Sequence, residues 1–294
     1  MNIRNYICKT FLLSSLVFSL SAHASMHEYE TTHLKSMGGA GVGSILVEES
    51  AFLNPAPLAF FQNASVYVQK DDSTFTEGSR AGSTPKSTAF VLADGNPNLA
   101  GSVSFSKQEE ANIERQRWGL SLSGLATERS AFGVSVRSSN DKNILTNTTD
   151  KYYQTVAGIS HAIDEKSSMG ITLVDPFKSI AHETKILFGV QLVTLNYITL
   201  NADFGGDYNA IDVSKALIYK GSMQVKVLDD FYVRFGGFSD KIKNESGNGY
   251  GLAWVQPRLS FEFAYKNTKS AADALLGTSE YRTKETSLSA SIRF

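Results

Sequence analysis

From about Ala64 to its last residue the chain is written in period two. Fourteen segments rich in β-branched and aromatic residues alternate apolar with polar positions, at approximately 64–70, 86–93, 99–108, 115–124, 130–139, 152–162, 167–175, 182–191, 195–204, 213–227, 231–240, 248–256, 258–267 and 285–294. Successive side chains of a strand point to opposite faces, so this pattern predicts strands with one greasy and one wet side. In the last segment Leu288, Ala290, Ile292 and Phe294 alternate with Ser287, Ser289, Ser291 and Arg293. Leu259, Phe261, Phe263 and Tyr265 alternate with Ser260, Glu262, Ala264 and Lys266, and the same holds for Trp118, Leu120 and Leu122 against Arg117, Gly119 and Ser121. Phe132, Val134 and Val136 alternate with Gly133, Ser135 and Arg137.

The connections decide between a soluble sandwich and a membrane barrel. They alternate long and short: Asp71 to Pro85 and then Asp94 to Asn98, Glu109 to Glu114 and then Leu125 to Arg129, Asn140 to Lys151 and then Asp164 to Lys166, with the same rhythm continuing to Thr268 to Lys284. Bacterial transmembrane barrels join their strands by tight periplasmic turns and longer outer loops, which produces this rhythm. The expected fold is all-β, an antiparallel transmembrane β-barrel of about 14 strands. An arginine facing lipid costs about 2–4 kcal/mol at the midplane, so Arg117, Arg137 and Arg293 are expected to point into the lumen. Tyr152, Tyr153, Phe204, Phe231, Tyr232, Tyr250 and Tyr265, at strand ends, are expected in interfacial girdles.

Export is legible at the start. Arg4 and Lys9 precede the apolar run Phe11 to Leu20 and the small-residue signature Ala22-His23-Ala24, so residues 1–24 read as a signal peptide. Nothing after it approaches about 18 consecutive apolar residues, so no transmembrane helix is expected. Cys8 is the only cysteine and would leave with the signal, which excludes disulfides from the mature chain. A net charge of −1 argues against nucleic acid as a partner. The slightly negative mean hydropathy fits a barrel, in which lipid-facing and lumen-facing residues cancel. The expected location is the outer membrane of a Gram-negative bacterium, the expected partners are outer-membrane lipid and the barrel-assembly machinery, and the strand ending in Phe294 is the element that machinery would engage.

Residues 25–62 do not alternate. They carry the run Met37-Gly38-Gly39-Ala40-Gly41-Val42-Gly43, the acidic pair Glu48-Glu49 and the stretch Leu53-Asn54-Pro55-Ala56-Pro57-Leu58. Glycines permit close backbone approach inside a narrow lumen. Pro55 and Pro57 cannot extend a hydrogen-bonded ladder. A disordered tail would leave Leu53, Leu58, Phe60 and Phe61 exposed. A glycine run, an acidic pair and Asn-Pro-Ala just before the first strand resemble the N-terminal hatch of the FadL-type long-chain fatty-acid and toluene transporters, whose barrels also have fourteen strands. The resemblance implies a plug inside the lumen at Gly38, Gly39, Gly41, Gly43, Glu48, Glu49, Asn54, Pro55 and Ala56. It implies passage of hydrophobic ligands from an outer groove through the lumen and out sideways by a gap in the wall. The outer loops here lack the long insertions that build the family's groove. The division expected is 1–24 signal, 25–62 hatch and 63–294 barrel.

By strand parity Arg117, Arg137, Lys185, Lys226, Arg234 and Arg293 face inward against few acids, Glu262 and Asp203, so a net basic lumen is expected. Arg117, Arg137, Lys185, Arg234 and Arg293 are the candidate ligand-facing residues, and Glu48 and Glu49 are expected to pair with some of the arginines and hold the hatch shut. No metal or cofactor is expected: His27, His33, His161 and His182 have no ligand-spaced neighbours. The glycine run has Ser44 where a dinucleotide fingerprint needs its third glycine. No Gly-x-Ser-x-Gly elbow is present, and Ser160 beside His161 is the sole hint of hydrolase chemistry, so a non-enzyme is expected. The leading expectation is passive uptake of a hydrophobic or amphipathic small molecule. The alternative is a structural or partner-binding barrel that transports nothing.

Overall fold

The computed structural model describes residues 26–78, 81–96, 99–110, 112–178, 183–272 and 280–294. The signal segment 1–24 and His182 lie outside them. Fourteen strands follow in chain order: β1 Ser65–Glu77, β2 Lys86–Asp94, β3 Ala100–Glu110, β4 Ile113–Thr127, β5 Ser130–Asn143, β6 Thr148–Ala162, β7 Ser167–Val174, β8 Lys185–Thr194, β9 Ile198–Gly206, β10 Leu217–Leu228, β11 Phe231–Asp240, β12 Glu245–Val255, β13 Leu259–Ser270 and β14 Tyr281–Arg293. Each pairs antiparallel with its neighbours in sequence, and β1 pairs with β14 from Ser65↔Arg293 to Glu77↔Arg282, which closes the ring. Closure is what hydrocarbon demands, because an open edge would leave a row of unpaired N–H and C=O groups with no water to satisfy them.

Side chains sort by parity around the whole ring. Trp118, Leu120, Leu122, Phe132, Val134, Val136, Phe261, Leu288 and Ile292 are exposed on the outside, whereas Arg115, Arg117, Ser121, Ser135, Arg137, Ser287 and Ser289 are buried on the inside. Outer-face neighbours meet across strands, as Leu120 does with Val136, Phe263 with Leu288, and Phe105 with Trp118 at 4.8 Å between ring centroids. The termini of the barrel, Ser65 and Arg293, lie at the end with turns such as Asp229-Asp230, which is the periplasmic end of a barrel of this kind.

Two expectations need correction. Several strands outrun their predicted outer ends: β1 continues to Glu77, β5 to Asn143, β6 begins at Thr148 and β14 at Tyr281. Much of the expected loops after β1, β3, β5, β11 and β13 is therefore wall, and the connection between β3 and β4 shrinks to residues 111–112, whereas β8 and β10 begin later than expected, at Lys185 and Leu217. The charged residues Asp71, Glu110 and Glu245 fall in those expected loops, yet a lumen-facing position tolerates charge as readily as a loop does. Second, Tyr152 and Tyr232 are not girdle residues, because their side chains point inward; Tyr153 and Phe231, one step away, are the exposed ones.

Leu120 sits midway along β4 on the lipid face. Leu120→Arg should lower stability by about 2–4 kcal/mol in urea unfolding from phospholipid vesicles, and an unchanged unfolding midpoint would remove Leu120 from the lipid-facing band.

Candidate functional site

The lumen is filled by residues 26–62, whose local structure follows from its capping chemistry. Thr31 caps a short helix, α1 Thr32–Ser36, by accepting the Leu34 N–H on its hydroxyl at 3.1 Å. The helix stops at Gly38 and Gly39, both with positive φ (61° and 79°), and the Gly39 N–H returns to the Leu34 carbonyl at 2.7 Å. A second short helix, α2 Val47–Ser50, carries the acidic pair, and Pro55 opens a 3-10 turn over Ala56–Phe60. Leu34, Met37, Val42, Val47, Ala56 and Leu58 are all buried.

This segment touches the wall backbone to backbone. Gly43 lies against Gly189, Gly38 against Gly236 and Gly237, the side chains of Asn54 and Pro55 against Gly158, and Pro55 and Ala56 against Gly133, so that a methyl group on Gly133, Gly158, Gly189 or Gly236 would overlap the segment. Wall side chains then bind what the segment leaves unpaired. Asp203 accepts the N–H groups of Gly41 (2.8 Å) and Val42 (3.1 Å), Ser168 donates to the Gly43 carbonyl (2.7 Å), and Ser123 donates to that of Ala56 (2.7 Å). Asn54 donates to the carbonyls of Val42 (3.1 Å) and Ile159 (3.3 Å) while accepting the Ala56 N–H (3.1 Å). An asparagine is suited to this position because one amide supplies donors and an acceptor together. Gly41 packs on Leu34 within the segment itself.

A second layer of contacts is ionic and lies toward the outer end. His27 bridges Glu110 (3.1 Å) and Glu245 (2.9 Å). Glu28 takes Arg137 (3.4 Å) and Lys185 (3.0 Å), Glu30 takes Lys266, and Lys35 takes Asp71 (3.1 Å) and Glu285 (2.9 Å). Arg137 also donates to the Phe52 carbonyl. At the inner end Glu48 lies 3.4 Å from Arg293.

Of the acidic pair, Glu48 lies against a lumen arginine, Arg293. Glu49 accepts the Thr31 hydroxyl at 2.9 Å and meets no arginine among the described residues; burial, then Glu48, then Glu262 push its carboxyl up to about 8, which leaves it protonated at neutral pH. The ties to the wall come chiefly from residues 27–35, which sequence reasoning did not single out. The net basic lumen is also overturned, since Asp71, Glu110, Glu183, Glu245 and Glu285 join Asp203 and Glu262 on the inner face. Their signal was present as parity: Asp71 continues Tyr67 and Gln69, and Glu285 continues Ser287 and Ser289. Arg117 and Arg234 face the lumen but bind wall groups, Arg117 to Ser139 (2.7 Å) and Arg234 to Gln224 (2.7 Å) and Glu262 (3.0 Å).

Open space lies on each side of the segment. The outer cavity, about 120 Å³, has His27, Glu28, Lys35, Lys185 and Glu285 in its lining; the inner, about 210 Å³, has His33, Glu48, Glu49, Tyr232, Arg234 and Arg293. On both sides of β3 the pairing register runs without a break, from Gly101 to Gln108 against β2 and from Ala100 to Glu110 against β4.

No protein-family model and no curated protein matches the chain. Solved structures do. The CymD monoaromatic hydrocarbon channel superposes with a TM-score of 0.72 at 11% identity over 90% of this chain and 97% of that one. The Pseudomonas putida toluene transporter TodX gives 0.66 at 10% identity over 91% and 98%, and a Pseudomonas aeruginosa FadL homologue 0.58 at 12% over 91% and 99%. The chain has the FadL-type barrel fold. With an apolar exterior on a closed ring, a FadL-type barrel resides in the outer membrane of a Gram-negative cell. The sideways gap that the resemblance implied is not seen beside β3 of this FadL-type barrel, because both of its ladders are complete there.

Burial opposes charge on His27, but Glu245 and Glu110 outweigh it and hold its pKa at about 10 against the ordinary 6.5. A raised folded pKa contributes stability that is fully present below about 6.5 and is lost as pH rises through about 10. A thiol reagent should thus label a cysteine replacing Met26 faster as pH climbs across that window, beyond the reagent's own thiolate dependence. His27→Gln should abolish the excess, and an excess that survives His27→Gln would assign it to another group.

Proposed function

We propose that the chain is an outer-membrane channel for passive uptake of a small hydrophobic or amphipathic molecule, with residues 25–62 as its hatch, 63–294 as its barrel and 1–24 as a cleaved export signal. The observation that carries this reading is a lumen with open space on each side of a segment seated on glycines and polar groups, none of it woven into the sheet. Such contacts release stepwise. The ionic ties at residues 27–35 border the outer cavity, where water and solute exchange with them, and Leu53, Leu187 and Ile218 beside them offer apolar surface to an entering molecule. No element that would couple energy is part of this reading, so flux runs down a gradient. With the wall complete beside β3, exit runs along the barrel axis through the inner cavity. In this reading Arg137, Lys185 and Arg293 hold the hatch, Arg117 and Arg234 shape the wall field, Gly38, Gly39, Gly41 and Gly43 let it fold against the wall, and Glu48 and Asn54-Pro55-Ala56 anchor it.

The superposed solved structures named as monoaromatic hydrocarbon and toluene channels support the substrate class. A catalytic reading finds little support: Ser160 points into the lumen while His161 points outward and meets Ser130 at 2.9 Å. Phe294, exposed and tied by its N–H to the Ala64 carbonyl at 3.0 Å, is the proposed recognition point for the assembly machinery.

A second reading, a structural barrel whose plug never opens, draws on the continuous ladders on both sides of β3 and on the buried ion pairs. Cells expressing the protein should accumulate radiolabelled toluene or a labelled fatty acid several-fold faster than cells lacking it. Equal rates for both solutes would favour the closed structural barrel.

A further inference from the structure

The inner cavity holds two guanidinium groups with donors to spare. Arg234 is 3% exposed and uses Nε on Gln224 and Nη2 on Glu262, but its buried Nη1 has no partner. Arg293 lines the same cavity, and its buried Nε is likewise unpartnered while Nη2 reaches Glu48 at a long 3.4 Å. Buried guanidinium N–H groups are costly to leave unmet, and their fork geometry suits a carboxylate. Glu262 lies within electrostatic reach of both arginines and of His33.

The charge balance depends on the hatch. His33 is held down at about 3 by burial and Arg234, and Glu49 is protonated at neutral pH, so neither contributes charge. That leaves Arg234 and Arg293 against Glu262 and Glu48. Glu48 belongs to the hatch; once it withdraws, the wall carries two positive charges and one negative. A net charge of +1 in a confined space favours a single anion. We propose that the inner cavity is a binding site for a compact organic monocarboxylate, received between Arg234 and Arg293 in the position that the Glu48 carboxylate holds when the hatch is seated. A cavity of about 210 Å³ matches a short-chain or aromatic acid. The inference rests on the channel reading and narrows it, because it assigns the exit side a charged-headed solute and gives that solute a means of displacing Glu48.

Benzoate titrated into the detergent-solubilised full-length protein, followed by calorimetry, tests this, with benzyl alcohol as the uncharged counterpart. Glu48→Gln should bind benzoate at least tenfold more tightly than the unaltered protein. Arg293→Gln on the Glu48→Gln background should return the affinity to or below the starting value. Benzyl alcohol should respond to neither change. Equal benzoate affinity with and without Glu48→Gln, or a parallel gain for benzyl alcohol, would overturn the site. Should Arg293→Gln lose its heat-modifiable mobility and so its fold, Arg293→Lys, which keeps the charge but removes Nε and the fork, should still weaken benzoate several-fold, and undiminished affinity in Arg293→Lys would overturn the proposal. Loss of this site with toluene uptake intact would leave the channel reading standing.

Discussion

Everything in this molecule follows from the absence of water in hydrocarbon. A backbone N–H or C=O facing lipid has no partner but another strand, so the first strand must find the last, and it does along its whole length from Ser65 to Glu77. Once the ring is closed the period-two alternation has only one stable sense. Leu120 and Phe132 meet lipid, and Arg117 and Arg137 meet the lumen. The same closure creates a second difficulty, because fourteen strands enclose a space too wide for wall side chains alone to fill.

The N-terminal segment fills that space in two ways. Glycines on the wall let its backbone approach closely, and Asp203, Ser123 and Ser168 satisfy the groups it cannot pair internally. Charges then tie it down: Glu28, Glu30 and Lys35 each meet opposite charge on the wall. Removing one member of a buried pair costs about 3–5 kcal/mol, because its partner stays behind uncompensated. A segment held this way is joined covalently to β1 but takes no part in the ladder, which is the physical basis for proposing it as a hatch. The inner end differs from the outer: Glu48 reaches the wall there by a long contact to Arg293, Arg234 pairs instead with Glu262 of the wall, and two arginine donors are unmet.

The barrel was legible in the sequence because parity is local. Ser287 to Phe294 reveals its two faces without knowledge of any other strand, and β11 runs from Phe231 to Asp240 as the alternation indicated. Outer strand ends were less legible, for charged residues such as Asp71, Glu110 and Asp141 look alike whether they sit in a loop or face a lumen. That ambiguity made the lumen seem basic. The pairings themselves could not be read: Glu28 meets Lys185 and Arg137, and Lys35 meets Asp71 and Glu285, through a segment that crosses the lumen with no periodicity of its own. The glycine run and Asn54 stood out because their chemistry is unusual; Glu28 and Glu30 did not, because two glutamates near a chain's start resemble any solvated pair.

The central claim is that a closed, two-faced ring stands in lipid. Nitroxide labels placed singly at each position from Gln116 to Ser123 of β4, in phospholipid vesicles, test it most directly through oxygen-induced relaxation. Oxygen contact should be high at 116, 118, 120 and 122, greatest near 118–120, and low at 117, 119, 121 and 123, where the wall meets the filled lumen. A flat profile, or one with its maxima at 117, 119 and 121, would contradict it.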